Sequence, residues 1–306
     1  MIRLLLERLA VMPLVALGVV TILFVIFKSV PGDEAAAAAG AMANQAEIEA
    51  MRHRLGLDQP LLTQYAGHVL GLLRGDFGYS STFRGNALWP VLERVPATLA
   101  LMVSAIAVTV LLGVPAGVVA GANQGRVADH LLSGIVVALL AIPNFWLGLM
   151  LIALFSVRLG WLPGFGFSGG LALVIPTMAL AARLIALVAR LTRGLVIEEM
   201  HKGYVRTARA KGLGRRTVLL RHVLRNAAIP IVTVIGLQAG YLLGGSIVIE
   251  RLFAWPGVGD LMLTGVSVRD YPLIQGVTLF FVFGFLLLNL GVELLYRWLD
   301  PRLRHG

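Results

Sequence analysis

The chain of 306 residues carries a formal net charge of +10, is 58% hydrophobic and 14% charged, and contains no cysteine. So few charges in so apolar a chain point to a membrane protein and away from a soluble domain. The lack of cysteine excludes disulfides, thiolate metal sites and cysteine nucleophiles.

A bilayer core of about 30 Å is crossed by roughly 20 apolar residues in a helix. The first such stretch is Leu9 to Phe27, closed by Lys28. Small residues from Ala35 to Ala43 resemble a signal-peptidase site, but the apolar stretch is longer than a cleavable leader needs, so a retained membrane helix is expected. Residues 30–95 form the one sizeable polar region. Asn44 is placed to cap a helix that ends at Gly56, and Asp58 to cap a second that ends at Gly75. Their helical apolar spacing puts them on the outer membrane face or against the bundle.

The second span runs from about Ala97 to Ala122. Gly113, Gly117 and Gly121 recur in it every four residues, the pattern of a close helix contact. The third runs from Leu131 to Val157, and the fourth starts near Leu171 and continues to Leu191. Pro115, Pro143 and Pro176 mark kinks or helix starts. Within the fourth span stands Arg183, with Arg190 on nearly the same face. Arg183 either borders a polar translocation path or snorkels or pairs inside the bundle.

The fifth span is Ala227 to Ile249 and the sixth about Leu273 to Leu295. The connection between the fourth and fifth is too long for a simple turn. It holds the densest basic run of the chain, Arg206 to Asn226, with no acid in it. It reads as helix, short helix, turn, helix. The short element runs from Tyr204 to Lys211, is followed by Gly212 and Gly214, and suits docking of a soluble partner. With both termini inside, roughly sixteen Arg and Lys fall on the inner side against about nine outside, so the basic loop is expected in the cytoplasm.

Other chemistries find little footing. Gly166–Gly170 matches G-x-S-x-G around Ser168, but in a short loop between spans and not in a strand–turn–helix. No P-loop pattern occurs, the six histidines have no metal-ligand spacing, and no span carries the acids and histidines of a proton relay. Aromatic residues are not interleaved with the basic run as nucleic-acid binding would favour. No catalytic residue and no metal site is assigned. A passive or ion-coupled transporter and a membrane hydrolase using Ser168 stay as rivals to a pore-forming bundle driven by a partner.

The stretches YVRTARAKGL and RHVLRNAAIP resemble the cytoplasmic loop of ABC-importer permeases of the dipeptide, oligopeptide and nickel class. So do PGD (31–33), LGLDQPLLTQY (55–65), GDFG (75–78), PATL (96–99), PNFW (143–146), WLP (161–163), FAWPGVG (253–259), RDYPLIQG (269–276) and LDPRLR (299–304). The resemblance covers essentially the whole chain. It implies an all-α membrane protein with six transmembrane helices in the type I ABC importer permease fold. Residues 1–95 would form an N-terminal transmembrane helix with an extracytoplasmic loop, and 96–306 a permease core with its coupling loop at 191–226.

The resemblance also implies partners: a second homologous permease, two cytoplasmic ATPases that bind ATP and Mg, and an extracytoplasmic substrate-binding protein, all at the inner membrane. No cofactor is implied on this chain. The ATPase-coupling positions would be Tyr204, Val205, Arg206, Thr207, Ala208, Arg209, Ala210, Lys211 and Gly212, the small alanines allowing close seating and Gly212 ending the helix. Where many importers have Glu-Ala-Ala this chain has Arg206, Thr207 and Ala208, and Pro230 lies further along, as in the peptide class. Trp255, Pro256, Gly257, Asp270 and Tyr271 would lie on the binding-protein side, in docking or at the membrane interface. The expected cargo is a short peptide, with a nickel or metal chelate, or glutathione, as alternatives.

Overall fold

The structure, a computed structural model, describes residues 2–30, 33–40, 42–167 and 169–299. Pro31, Gly32, Ser168 and the stretch from Asp300 onward, on which parts of three sequence motifs fall, lie outside them. The chain forms two compact units, residues 1–98 with 256–287 and residues 99–255 with 288–306. Residues 256–287, which the sequence suggests belong to the core, thus pack with the N-terminal segment.

In the first unit, α1 (Ile2–Ser29) is followed by α2 (Glu34–Ala39), α3 (Gln45–Arg54) and α4 (Leu61–Leu73). Asn44 caps α3 in a full capping box: its Oδ1 accepts from Glu47 N at 3.0 Å, and its own N–H donates to Glu47 Oε2 at 2.8 Å. Asp58 does not cap α4. Its carboxylate lies 3.0 Å from His53 Nδ1, and α4 starts after Pro60, whose ring fixes φ and leaves no N–H to satisfy. Thr21 Oγ1 and Tyr65 OH, 2.7 Å apart, tie α1 to α4.

A short antiparallel hairpin that the sequence reading did not foresee, β1 (Tyr79–Ser80) and β2 (Gly85–Asn86), leads into α5 (Leu88–Val108). Val91 of α5 packs in a core with Val258 and Leu261 and with Leu273 and Val277. The N–H of Val258, orphaned at the start of its helix, donates to Thr98 Oγ1 at 2.8 Å.

In the second unit, α5 continues through a π-helical turn, Thr109–Gly113, into α6 (Val114–Ala122). Pro115 removes one helical donor, and the wider turn just before it accommodates that loss. The third predicted span is not one helix. α7 (Val127–Ala141) and α8 (Asn144–Leu151, prolonged by a π turn to Arg158) meet at 107°. Pro143 is the cause: it holds Ile142 extended and cannot donate to the preceding turn. Among the described residues five helices are therefore long and apolar enough to cross a membrane, and six spans result if the bent pair counts as one.

The centre of this unit is α9 (Val174–Met200), entered through a 3-10 turn at Gly170–Leu173. The glycine repeat of α6 lies on it. A Cβ at Gly117 would stand 2.5 Å from Ala189 O, and one at Gly121 2.9 Å from Arg193 O, so the two backbones nearly touch. Beyond α9 come α10 (Gly203–Ala210), α11 (Arg215–Thr217) with a π turn Val218–Val223, and α12 (Leu224–Leu252). Two further helices complete the order, α13 (Val258–Val268) in the first unit and α14 (Tyr271–Leu299).

Candidate functional site

The helix, short helix, turn, helix order expected for residues 191–226 is the one observed. α9 ends at Met200, and its last turn carries a buried acid, Glu199. Lys202 Nζ and the Tyr204 hydroxyl both donate to this carboxylate, and Lys202 also reaches Glu198 at 3.3 Å. The bond to Glu199 raises the Lys202 ammonium above its ordinary range. Burial, then the bond to Glu199, raises the Tyr204 phenol. Both groups thus stay protonated at neutral pH, and the latch is closed there.

α10 has two faces. Val205 is 0% exposed and Ala208 7%, and they pack at i, i+3 spacing against Val118, Val196, Val218 and Val223. Arg206, Thr207, Arg209 and Ala210 point out. The small size of Ala208 therefore serves packing inside the chain, not the close seating of a partner expected of it; Ala210 is the small residue on the outer face.

The end of α10 is a Schellman motif. Gly212, at φ +79°, donates to Arg209 O at 2.9 Å, and Leu213 donates to Ala208 O at 3.2 Å. This left-handed position gives Gly212 the helix-ending part predicted for it. Arg215 then reaches back to the end of α6, where Nη2 donates to Ala122 O and, at 3.3 Å, to Asn123 Oδ1. A cation at a helix C-terminus also meets the negative end of its dipole.

Seven of the nine predicted coupling residues, Tyr204 to Ala210, lie on α10, with Lys211 at its C-cap and Gly212 just beyond. The groups that hold it were not singled out from the sequence. Besides Glu199 and Arg215 these include Asp129, which clamps Arg193 with Nε and Nη2 at 2.5 and 2.8 Å and accepts from Gly125 N at 2.9 Å. That clamp ties the first turn of α7 to α9. Sixty-four positions separate its partners, and no local pattern joins them.

Other predicted residues fall elsewhere. Trp255 is 2% exposed, with its ring edge-on to Phe167 at 4.7 Å. Asp270 is also 2% exposed: Oδ2 accepts from Ser80 Oγ at 2.6 Å and Thr82 N at 3.0 Å, and Oδ1 accepts from Leu273 N, capping α14. Gly257 is buried, while Pro256 and Tyr271 are half-buried, Tyr271 stacking on Phe27 at 4.6 Å. Docking on Trp255 or Asp270 thus lacks an exposed side chain. Arg183 and Arg190 stand on the exposed side of α9, and among the described residues neither makes a hydrogen bond or ion pair. No cluster of three acids or histidines fit for a metal occurs among the described residues.

Residues 113–305 match the family described as binding-protein-dependent transport system inner membrane component, and residues 1–102 match the N-terminal region described for the same membrane components. The chain is 41% identical over 284 residues to the glutathione transport system permease protein GsiC of Escherichia coli strain K12, covering 93% of both chains. The GsiC protein of Shigella dysenteriae serotype 1 matches to the same extent. Among solved structures, an inward-facing form of the MetNI methionine ABC transporter aligns with a TM-score of 0.58 at 20% identity, over 69% of this chain and 97% of that one. A crystal structure of an amino acid ABC transporter with histidines aligns at 0.54 and 17% identity, over 68% and 93%.

Proposed function

Because the chain belongs to the binding-protein-dependent transport system inner membrane components, a multi-pass permease family of ABC importers, we propose how it works within such an importer. It forms half of the translocation path beside a second, homologous permease. Two cytoplasmic ATPases bind ATP and Mg and drive the cycle, and this chain hydrolyses nothing itself. An extracytoplasmic binding protein delivers the ligand. Both termini and the basic loop face the cytoplasm, in keeping with the crowding of Arg and Lys there.

The observation that carries this reading is the build of α10. Its inner face is bolted to the bundle through Val205 and Ala208, its base is latched through Glu199, and its outer face presents Arg206, Thr207 and Arg209. A short helix presented in this way can seat in a groove of an ATPase and pass its movement on to α9.

The cargo is a short peptide. The 41% identity to glutathione permeases supports glutathione, itself a tripeptide. The chain's lack of cysteine makes the test clean. Ala210→Cys should crosslink to a co-purified ATPase subunit and should be labelled only from the cytoplasmic side. Labelling from outside, or a complex free of any ATPase, would reject the reading.

A further inference from the structure

We infer that α9 carries a cationic strip, Arg183 and Arg190, that selects cargo bearing negative charge, a carboxylate in the first place. The inference rests on the importer reading and extends it to the choice of substrate.

α9 is enclosed by its own chain on most sides. Ala182, Leu184, Ile185, Ala186, Val188 and Ala189 are all buried. One stripe is left open, running through the exposed Arg183, Arg190 and Gly194 and the half-buried Leu187 at spacings of four, three and four residues. That is a single helix face, with Arg183 and Arg190 two turns, about 10 Å, apart along it.

Three things could cover this stripe: lipid, a tightly packed partner helix, or water. Lipid is a poor neighbour. With the span running from about Leu171 to Leu191, Arg183 lies about 12 Å along the helix from the nearer end, beyond the reach of its side chain to the interface. Tight helix packing uses small residues, as the glycines of α6 do against the other side of α9. The stripe offers instead the two bulkiest cations available. A partner built like this chain would also bring like charge against it. Water remains, and a water-filled cleft lined by one sign of charge concentrates ligands of the other sign.

Arginine suits the task, because its planar fork pairs with a carboxylate in two parallel bonds and stays charged at any physiological pH. Among the described residues nothing in the chain already occupies either guanidinium. Arg193, one turn beyond Arg190, is by contrast spent on Asp129.

The test uses the whole importer in proteoliposomes. Leu187→Cys, between the two arginines, gives this chain its one thiol. A negatively charged methanethiosulfonate should modify it faster than a positively charged one. Adding Arg183→Gln should cut that preference by about tenfold, the weight of one charge-assisted contact. A thiol that reacts with neither reagent, because lipid or an acidic partner residue covers it, overturns the inference. So does a preference that Arg183→Gln leaves unmoved.

Uptake gives the second readout. Arg183→Gln should slow glutathione by about tenfold and its glycyl monoethyl ester far less, with Arg183→Lys intermediate. Equal losses for the two cargos, or no loss, overturn the selectivity. Failure of the importer reading itself shows separately, as absence of ATPase subunits from the purified complex.

Discussion

The phenol of Tyr204 donates its hydrogen bond to Glu199 across the turn that joins α9 to α10. This short link, with Lys202 beside it, makes the last turn of a membrane helix and the first turn of an exposed one a single rigid corner. Tyr204→Phe should leave membrane insertion unchanged but lower the stability of the corner by about 1–2 kcal/mol and weaken ATPase co-purification. Both donors have raised pKa values, so their contribution is complete below the unfolded-state values and is lost only as pH climbs past about 10. Melting of the detergent-solubilised complex should therefore show no step from this latch between roughly pH 6 and 9. A Tyr204-dependent step inside that window would contradict it.

Gly212 tests the end of the same helix. Its φ of +79° and its N–H bond to Arg209 O both exclude proline. Gly212→Pro should abolish ATPase association without preventing insertion, and Gly212→Ala should cost about 1 kcal/mol. Gly212→Asn, which tolerates the left-handed region, should be the mildest. Normal coupled transport by the proline variant would remove α10 from the coupling role.

The α6–α9 contact predicts a sharp contrast between glycines. A Cβ at Gly117 meets backbone at 2.5 Å, whereas one at Gly134 in α7 meets nothing within 4 Å. Gly117→Ala should lower stability by about 1–3 kcal/mol, while Gly134→Ala should be neutral or stabilising by up to about 1 kcal/mol. Thermal melts of the two variants would settle the comparison, and equal shifts would speak against close contact of the two helices.

Asp129→Ala leaves the Arg193 guanidinium without its carboxylate. Because Arg193 keeps about a third of its side chain exposed, the loss should be about 2–3 kcal/mol, below that for a fully buried pair. Asp129→Ala combined with Arg193→Met should recover part of it. A double variant worse than the sum of the singles would show that the two groups do not act as a pair.

What could be read from the sequence was local. Asn44 and Glu47 lie three residues apart, so their capping box is visible in the string, and a glycine after a basic helix announces its end. The spans declare themselves by length and apolarity. Pro143 was visible too, but whether a proline kinks a span or divides it depends on what can satisfy the freed carbonyls, and that is a property of the surroundings. Asp58 had the right chemistry for a cap and lost the place to Pro60. The faces of α10 were the harder problem: in eight residues Ala208 and Ala210 look alike, and only packing against four distant valines separates them. The clamp between Asp129 and Arg193 and the reach of Arg215 to α6 depend on how the chain folds back, which no spacing reveals.

The glycine seam between α6 and α9 has a mechanical meaning. Two helices whose backbones touch cannot slide or tilt separately without driving atoms into one another. The clamp at Asp129 adds the first turn of α7, and Arg215 returns the far side of the loop to the tip of α6. If α10 seats on an ATPase as proposed, a push at Arg206 or Arg209 finds no soft joint in which to dissipate. It acts on a strut several helices thick, which moves as one piece or stays where it is.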